Sequence, residues 1–447
     1  MGCRSLEDMI YWEIKYGGDA RMNIGYACLT FSVPGTKFRV LRKKDVTEDR
    51  LREVIADNLD ALERIIDYNG LHGIRLFRIT SDLIPFGSSP INSLDWGTTF
   101  VDRWKGIGDK IRRLGIRVSM HPGQYTVLNS PDSQIVANAV ADLEYHARVL
   151  DLLETDPSSK IILHVGGTYG NRKEAISRFS RRFRELPGSV QRRLIIENDD
   201  RSYTIGEVLD LAKELGIPAV YDNLHDEINP TDPSVPPSEW IRRAASTWKP
   251  ADGRQKIHYS QQAPGKPRGS HSDTILIDSF LDFVGEIADA DIMLEVKDKD
   301  RSAIKCLNCL RPDREIKHLE GEWARYKYLV LEHDPKTYQD IRILLKDKTL
   351  YPVLAFYRAV EKALSAPVLP GHAQNALEHV AGYFSSKLPE KERASLQKNI
   401  EKARNGAVSI GSVKKRLLSM AEHFGEKYLW NTYYFGEDNA LPQEDKE

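Results

Sequence analysis

Short, continuously apolar runs recur along the chain up to about residue 300 and constrain its fold more than any other feature. Charge-rich segments of helical length separate most of them, and in one segment Leu51, Val54 and Ile55 begin the spacing of a helix with one buried face. The apolar runs fall at 23–27, 74–79, 116–120, 160–165, 192–197, 218–222, 255–259 and 290–296. The helical segments include 47–68, 98–114, 132–155, 171–186 and 204–215. Runs without alternation indicate a parallel sheet buried on both faces, so eight strand–helix units predict an α/β fold, the (β/α)8 TIM barrel.

The alternative for such alternation is an open doubly wound sheet, which carries a glycine-rich phosphate loop after its first strand. No such loop follows residues 23–27. Beyond residue 300 the pattern changes to successive helices, which predicts a smaller all-α domain. Its candidate helices are 321–333, 335–346, 350–365, 372–386, 389–404 and 410–423. The predicted organisation is an N-terminal extension (1–21), a barrel (22–300), a linker (301–319) and a helical domain (320–447).

Composition excludes several broad classes of protein. The 447 residues are 41% hydrophobic and 29% charged, and no run approaches the roughly 18 apolar residues of a membrane span. The N-terminus lacks the pattern of a signal peptide, and four cysteines are too few for a disulfide framework. We therefore expect a cytoplasmic protein. The net charge of −1 shows no global basicity, although a local basic groove is compatible with it.

The residues at the ends of the predicted strands are of types that bind metals. A barrel gathers its strand ends on one rim, where unpaired charges would be costly to desolvate. Mixed sets of histidine and carboxylate suit zinc or manganese. One such histidine would carry little weight, but repetition over successive strands predicts a metal centre. The residues are His121, His164, Glu197, Asp222 with the nearby His225, Lys256 with His258, His271 in the following loop, and Glu295.

A centre of this kind also predicts a class of chemistry. Two or more metals with bridging carboxylates favour phosphoester hydrolysis, because one ion lowers the pKa of water while others neutralise charge on the phosphate and the leaving oxygen. Glu197 is central in the series of strand ends, so we predict that it is a bridging ligand.

Short motifs accompany the strand ends in a fixed order. The most specific is Met-His-Pro-Gly-Gln-Tyr at 120–125. The others are Gly25-Tyr26, Phe77-Arg78-Ile79, Leu83-Ile84-Pro85-Phe86, His164 with Gly166-Gly167, Glu197-Asn198-Asp199, Asp222 with Leu224-His225, Lys256-Ile257-His258, Gly269-Ser270-His271 and Glu295 with Lys297. In order and spacing they resemble the ultraviolet damage endonucleases (the UvdE/UvsE family) over about residues 22–300. Abasic-site endonucleases and xylose-isomerase-like enzymes share the architecture but not the 120–125 signature.

The resemblance implies a site of two or three divalent ions, manganese in this family. It also implies incision of DNA immediately 5′ to a lesion, leaving a 3′-hydroxyl and a 5′-phosphate. The implied partner is double-stranded DNA with cyclobutane pyrimidine dimers, 6-4 photoproducts or abasic sites, bound by a monomer without a nucleotide cofactor or membrane. The implied metal ligands are His121, His164, Glu197, Asp222, His225, His258, His271 and Glu295.

Further residues acquire roles from the same resemblance. Glu197 and Lys256 are expected to be catalytic, and Lys256 corresponds to a lysine that becomes carboxylated near the metals. Gln124 and Tyr125 correspond to a pair that probes the duplex, where an amide and an aromatic ring can replace lost pairing and stacking. Tyr26 is expected to line the lesion pocket.

Three positions depart from the family pattern. Ser89 replaces a histidine, and serine is a poor ligand, so weaker binding of one metal or a bridging water is expected. Asp226 replaces a second histidine after His225, and it either substitutes as an oxygen ligand or faces solvent. Thr30 replaces an asparagine that contacts lesions.

Basic residues in loops at the catalytic end of the barrel are candidates for phosphate contacts, which give salt-dependent affinity without reading sequence. They are Arg39, Arg42, Lys43, Lys44, Lys266 and Arg268. The C-terminal part resembles the YbgA-like family of unknown function, through Trp323-Ala324-Arg325-Tyr326-Lys327-Tyr328, His333, Tyr338, His372, Asn375, His379 and Gly382-Tyr383.

Three other functions remain open at this point. An abasic-site endonuclease would ignore photoproducts. A sugar isomerase or epimerase would need no probe for DNA, so Gln124 and Tyr125 argue against it. A damage-binding protein that has lost catalysis through Ser89 would bind lesions without cutting.

Overall fold

The computed structural model describes residues 22–287, 289–311 and 314–439. Within them the chain forms two compact units: a barrel unit of residues 22–30 and 35–304, and a helical unit of residues 31–34 and 305–439. The N-terminal extension predicted at 1–21 lies outside the described residues, as do residues 440–447 of the predicted helical domain.

Eight parallel strands form the centre of the barrel unit. They are β1 Ile24–Ala27, β2 Leu76–Ile79, β3 Arg117–Met120, β4 Ile161–His164, β5 Leu194–Glu197, β6 Ala219–Val220, β7 Lys256–Tyr259 and β8 Asp291–Leu294. Their order is β6-β5-β4-β3-β2-β1-β8-β7. A bridge between Asp222 and His258 joins the two edges, so the ring of strands is nearly closed. The predicted TIM barrel is therefore confirmed.

Helices follow the strands and cover the barrel. They are α1 Glu48–His72, α2 Trp96–Thr99, α3 Val101–Leu114, α4 Ser133–Leu152, α5 Arg172–Glu185, α6 Gly188–Arg193, α7 Ile205–Leu215, α8 Asn223–Ile228, α9 Pro237–Ala245 and α10 Ile277–Glu286, with short 3-10 turns at Lys43–Asp45, Ser81–Leu83 and Pro250–Asp252. Local sequence sets their ends: the Thr47 hydroxyl accepts a hydrogen bond from the Arg50 amide at the start of α1, and Gly73 ends it in a left-handed conformation.

The apolar runs become strands because both of their faces are covered. In β4 and β5 the side chains of Ile161, Ile162, Ile195 and Ile196 have no exposed surface. Gly25 lets β1 approach β2 closely, because a Cβ atom there would lie 2.2 Å from the carbonyl oxygen of Leu76. The barrel interior is thus a packed core that fixes the positions of the strand ends.

Helix α11, Asp300–Leu310, contains the point where the barrel unit ends and the helical unit begins. Cys306 and Cys309 on this helix are buried. Most residues of the predicted linker (301–319) are helical. The helical unit continues with α12 Ile316–His333, α13 Pro335–Leu344, α14 Val353–Ser365, α15 Pro370–Ala381, α16 Glu390–Arg404, α17 Ile410–His423 and α18 Lys427–Trp430, and with 3-10 turns at Gly382–Phe384 and Tyr433–Asn439.

The helical unit has its own apolar core. Its buried members include Leu377, Phe384, Ile400, Leu417 and Tyr434. In the described part of the chain, no helix combines the length and the apolar character needed to cross a membrane.

Candidate metal centre at the strand ends

The predicted ligands converge on Glu197, the last residue of β5. His121 directly follows β3, and its Nε2 lies 3.1 Å from Glu197 Oε2. His164 ends β4, is paired in register with Glu197, and places its Nε2 3.8 Å from the same oxygen. On the other side, His258 Nδ1 in β7 lies 2.6 Å from Glu197 Oε1. The Glu197 carboxylate at the end of β5 therefore lies between histidines that β3, β4 and β7 position.

Two groups of donors share this carboxylate. Within each group, the donor atoms all lie within 4.8 Å of one another. The first group is His121, His164 and Glu197, and the second is Glu197, Asp222, His258 and Glu295. Because Glu197 belongs to both groups, it has the position of a ligand that bridges two cations.

His225 and His271 lie at the edges of these groups. Asp222 caps α8, and its carboxylate accepts a hydrogen bond from the His225 amide at 2.8 Å. His225 Nδ1 is 3.7 Å from Asp222 Oδ1, and His271 Nε2 is 3.9 Å from Glu295 Oε2. His271 is thus close enough to extend the donor set, and His225 lies beside Asp222 at its edge.

The donor atoms fit divalent cations. Among the described residues, Asp222 Oδ2, His258 Nε2 and His164 Nδ1 are buried polar atoms without a hydrogen-bond partner, which is costly unless something satisfies them. His121 and His225 donate their Nδ1–H to backbone carbonyls, of Pro122 and Asn198, both at 2.9 Å. Those bonds leave Nε2 of each ring available for a cation, an arrangement that is usual for histidine ligands.

Electrostatics favour the charged form of two carboxylates of this site, Glu197 and Glu295. Burial acts to raise the pKa of Glu197, but the charge of His258 and the hydrogen bonds to His121 and His258 lower that pKa well below its usual range. For Glu295, burial again acts to raise the pKa, and Arg78 and His258 lower it strongly. Burial, together with the charges of Glu197 and Glu295, raises the pKa of Asp222. The site therefore concentrates negative charge where a cation would neutralise it.

The two histidines near the opening titrate in opposite directions. Burial lowers the pKa of His164 to about 4, so that its ring is neutral at neutral pH. For His225, burial acts to lower the pKa, but the carboxylates of Asp222, Glu197 and Glu295 raise it to about 9. The free site therefore holds a proton on His225 that a metal ion would have to displace.

Two residues that support the site received no role from the sequence. Arg78 in β2 forms a largely buried ion pair with Glu295 at 2.7 Å. The side chain of Asn198 accepts from the Asp222 amide at 2.9 Å and donates to the Asp222 carbonyl at 3.0 Å. Arg78 could have been noticed, because an arginine inside an otherwise apolar strand is unusual. The role of Asn198 depends on the path of the chain in space, which sequence periodicity does not reveal.

Lys256 lies at the start of β7 with 1% of its surface exposed. It is two residues before His258, so both side chains face the same side of the strand. Burial lowers the pKa of Lys256 well below its usual range, and the charges of Arg117 and Arg78 lower it further. A neutral amine is therefore favoured at this position.

The predicted probe residues lie on the surface. Gln124 and Tyr125 are exposed in the loop after β3, with 72% of Tyr125 accessible. Tyr26 differs from expectation, because it has no exposed surface and its hydroxyl donates to Asn69 Oδ1 at 2.8 Å and lies 2.5 Å from Thr30 Oγ1. Both Tyr26 and Thr30 are thus buried, and the role of Tyr26 in a lesion pocket stays a prediction.

The other departures from the family pattern lie outside the two donor groups. The Ser89 hydroxyl accepts from the Ile91 amide at 3.3 Å within a turn. Asp226 is buried and accepts from the Tyr221 hydroxyl at 3.0 Å, and burial raises its pKa to about 6. Asp226 thus neither joins the donors nor faces solvent.

Several of the predicted basic residues already have protein partners. Arg39 pairs with Glu53 and Asp57. Arg42 pairs with Asp45, and Arg268 donates to the Glu227 carbonyl at 2.8 Å. Lys43, Lys44 and Lys266 are exposed and stay candidates for phosphate contacts.

Two of the motif histidines of the helical unit donate hydrogen bonds to backbone carbonyls. His372 Nδ1 donates to the His333 carbonyl at 3.1 Å, and His333 Nδ1 donates to the Ala366 carbonyl at 2.6 Å. His379 is exposed on α15. These contacts join helix ends and do not form a donor cluster.

Comparisons with known proteins agree with this geometry. A family model described as UV-endonuclease UvdE matches residues 22–327, and one described as a protein of unknown function (DUF1722) matches residues 327–437. A UV DNA damage endonuclease of Clostridium perfringens (strain 13 / Type A) is 42% identical over 352 residues, which cover 77% of this chain and 84% of that protein. A protein of the same name from Bacillus cereus (strain G9842) is 33% identical over 295 residues, covering 65% and 92% respectively.

A solved structure gives the same result. The structure titled "Crystal Structure of SacUVDE" is 37% identical and superposes with a TM-score of 0.62, covering 65% of this chain and 98% of that one. The family match spans more than half of the chain, and it includes every strand end described above. The chain therefore belongs to the UV-endonuclease UvdE family.

Proposed function

We propose that this chain is a metal-dependent DNA repair endonuclease that cuts the phosphodiester backbone immediately 5′ to UV photoproducts. Its substrates are cyclobutane pyrimidine dimers, 6-4 photoproducts and abasic sites in double-stranded DNA, and its products carry a 3′-hydroxyl and a 5′-phosphate. The observation that carries the proposal is the place of Glu197 in two adjacent donor groups. Relatives named UV DNA damage endonuclease support the class of reaction.

The residues of the two donor groups would hold the cations. When bound, two or three divalent ions, manganese by the family resemblance, supply an activated water and neutralise charge on the phosphate and leaving oxygen. His121, His164 and Glu197 would hold one ion, and Glu197, Asp222, His258 and Glu295 would hold a second. His225 and His271 complete the ligand set from its edges.

Lys256 contributes through its neutral amine. Such an amine adds to carbon dioxide and loses a proton, which gives a carbamate. The product is an anionic oxygen donor on the same face of β7 as His258. A buried lysine is thereby converted from a repelling cation into an additional ligand for the site.

Gln124 and Tyr125 recognise the lesion from the rim. Both are exposed in the loop that follows His121, so they reach beyond the barrel while the donors stay inside it. When damaged nucleotides leave the helix, an amide can replace lost hydrogen bonds and an aromatic ring can replace lost stacking. Damage is thus read by how readily the duplex opens.

The proposal is tested by incubating the full chain and MnCl₂ with a duplex oligonucleotide that carries one cyclobutane pyrimidine dimer. A matched undamaged duplex serves as the control, a matched abasic duplex tests the other class of lesion, and EDTA is added to a parallel set. We expect a single nick directly 5′ to the dimer, ends that a ligase can seal, and no nick in EDTA.

Two outcomes contradict the proposal. Cutting of the abasic duplex alone would place the chain functionally with abasic-site endonucleases. Tight binding of the dimer without cutting, at every manganese concentration, would make it a damage-binding protein.

A further inference from the structure

The loop after β4 repeats a feature of the probe loop after β3. Each loop follows a histidine of the first donor group and contains a glycine, a polar residue and a tyrosine in succession: Gly123-Gln124-Tyr125 after His121, and Gly167-Thr168-Tyr169 after His164. Strands β3 and β4 are neighbours in the barrel. The two tyrosines are therefore presented from adjacent strand ends on the rim of the metal centre.

Exposure sets these two tyrosines apart. Among the phenylalanine, tryptophan and tyrosine side chains in the described ranges, Tyr125 and Tyr169 are the ones more than a third exposed, at 72% and 45%. Each ring also lies beside the glycine two residues earlier. A Cβ atom would lie 2.5 Å from the Tyr125 ring at Gly123, and 3.2 Å from the Tyr169 ring at Gly167.

Neighbouring residues hold the second loop firmly. The Gly167 carbonyl accepts hydrogen bonds from Asn129 Nδ2 at 2.8 Å and from the Tyr203 hydroxyl at 3.2 Å. Asn129 belongs to the segment that follows the probe loop, so a side chain from that segment supports the second loop. Tyr169 is thereby displayed on a rigid support.

The backbone and a cation orient the Tyr169 ring. Its φ angle is +49°, in the left-handed region that a tyrosine rarely adopts. The Arg178 guanidinium lies 5.6 Å from the ring centroid, while its Nε donates to the Asn129 carbonyl at 2.8 Å. A strained, exposed ring that is braced in this way is typical of a residue retained for contact with a ligand.

We propose that Tyr169 is a second aromatic contact for damaged DNA, stacking on an unpaired or extruded base beside the one that Tyr125 contacts. The inference rests on the proposed function and deepens it, because it assigns lesion specificity to a residue outside the 120–125 motif. Two neighbouring rings suit lesions in which two adjacent bases leave the stack together. Stacking on an aromatic ring is tolerant of base identity, so it would read damage without reading sequence.

The test compares Tyr169→Ala and Tyr169→Phe with the wild-type chain. Binding is measured by fluorescence anisotropy in EDTA, with a duplex that carries one cyclobutane dimer and an undamaged duplex of the same sequence. Leu71→Ala is the matched control, because Leu71 is 82% exposed near the end of α1 that precedes β2, away from the strand ends of the site. Incision with manganese is measured in parallel.

We expect Tyr169→Ala to lose about tenfold in affinity for the dimer duplex, the effect of one stacked base, and to change little on undamaged DNA. Tyr169→Phe should stay within about twofold of wild type, because the ring that stacks remains. Leu71→Ala should match wild type on both duplexes.

The inference is overturned if Tyr169→Ala keeps its preference for the dimer, if Tyr169→Phe loses as much as Tyr169→Ala, or if the wild-type chain binds both duplexes equally. The proposed function is judged separately by incision. If Tyr169→Ala loses its preference for the dimer duplex but the wild-type chain does not incise, the inference is supported and the proposed reaction is contradicted. If the wild-type chain incises but Tyr169→Ala binds as the wild type does, the proposed reaction is supported and the inference is contradicted.

Discussion

Glu197 combines burial and charge in a way that only positive neighbours can sustain. It is 1% exposed, yet the surrounding histidines keep its carboxylate ionised. A charge in such a place is destabilising unless it is paired. Cations held by the two donor groups that meet at this residue would add to that pairing, which supports the bridging role that we propose for it.

His225 predicts how metal affinity depends on pH. Its pKa of about 9 means that the ring is protonated in the free site at neutral pH, and a ligand must be neutral. Apparent affinity for Mn²⁺ should therefore rise as pH rises from 6 to 8, by up to about tenfold per pH unit for one displaced proton. His164, with a pKa of about 4, is already neutral in this range and should add nothing to the slope.

Calorimetric titration in buffers of different ionisation enthalpy measures this proton release. The His225→Asn variant is the comparison, because it keeps a polar side chain of similar reach but cannot hold the proton. We expect a shallower pH dependence in the variant. Equal slopes in both proteins would show that His225 is not a ligand.

Sequence reasoning located much of the site at the residue scale. Residues such as His121, His164 and Glu197 could be found because strand ends of a barrel share one rim, so that position along the chain predicts proximity. The burial of Tyr26 could not be predicted, because its position in β1 does not reveal that its hydroxyl meets Asn69 of α1 and Thr30.

At the scale of single elements, the apolar runs predicted all eight strands but not their ends. Strand β6 stops at Val220, although the run continues to residue 222. Beyond Val220 the amide and carbonyl of Asp222 bond to the side chain of Asn198, and Asp222 pairs with β7 only as a single bridge to His258. Helix α1 runs past its predicted end at residue 68 to His72, because Gly70 packs closely against Leu114 and only Gly73 turns the chain away.

The pair of Arg78 and Glu295 predicts a stability effect that links β2 to the end of β8. Both side chains are largely buried, so Arg78→Met should leave the charge of Glu295 poorly compensated and cost about 3 kcal/mol in the metal-free chain. Mn²⁺ should recover much of the loss, since it replaces the missing positive charge.

Urea denaturation of the full chain, with and without Mn²⁺, measures the loss of stability in Arg78→Met and its recovery. Arg103→Met is the control, because Arg103 pairs with Asp60 and Glu63 at the surface, where such pairs contribute about 1 kcal/mol or less. An equal loss in the two variants, or no recovery with manganese, would contradict this account of Arg78.

At the scale of the whole molecule, the alternation of apolar and charged segments was sufficient to predict a barrel followed by helices. It was not sufficient for the boundary between them. The barrel unit ends at Ile304 within α11, and residues 31–34 group with the helical unit. Units are defined by contacts in space, so a segment near the start of the chain can belong to a unit formed mainly by its end.

Metal binding should be visible in the stability of the whole chain. Cations that bind the folded site but not the unfolded chain stabilise it by about 2.7 kcal/mol at a free concentration roughly one hundred times Kd. We expect scanning calorimetry to show a rise in the melting temperature of the chain with Mn²⁺, reversed by EDTA. An unchanged melting temperature would mean that the two donor groups do not bind the ion.

The bridging role of Glu197 is tested most directly by its isosteric replacement. Glu197→Gln, Glu144→Gln and the wild-type chain are compared for manganese content at saturation and for incision of a dimer-containing duplex; Glu144 is an exposed glutamate on α4. We predict that wild-type and Glu144→Gln chains each bind at least two ions and incise the duplex. We predict that Glu197→Gln binds at least one ion fewer and does not incise. Full manganese content and wild-type incision in Glu197→Gln would contradict the account.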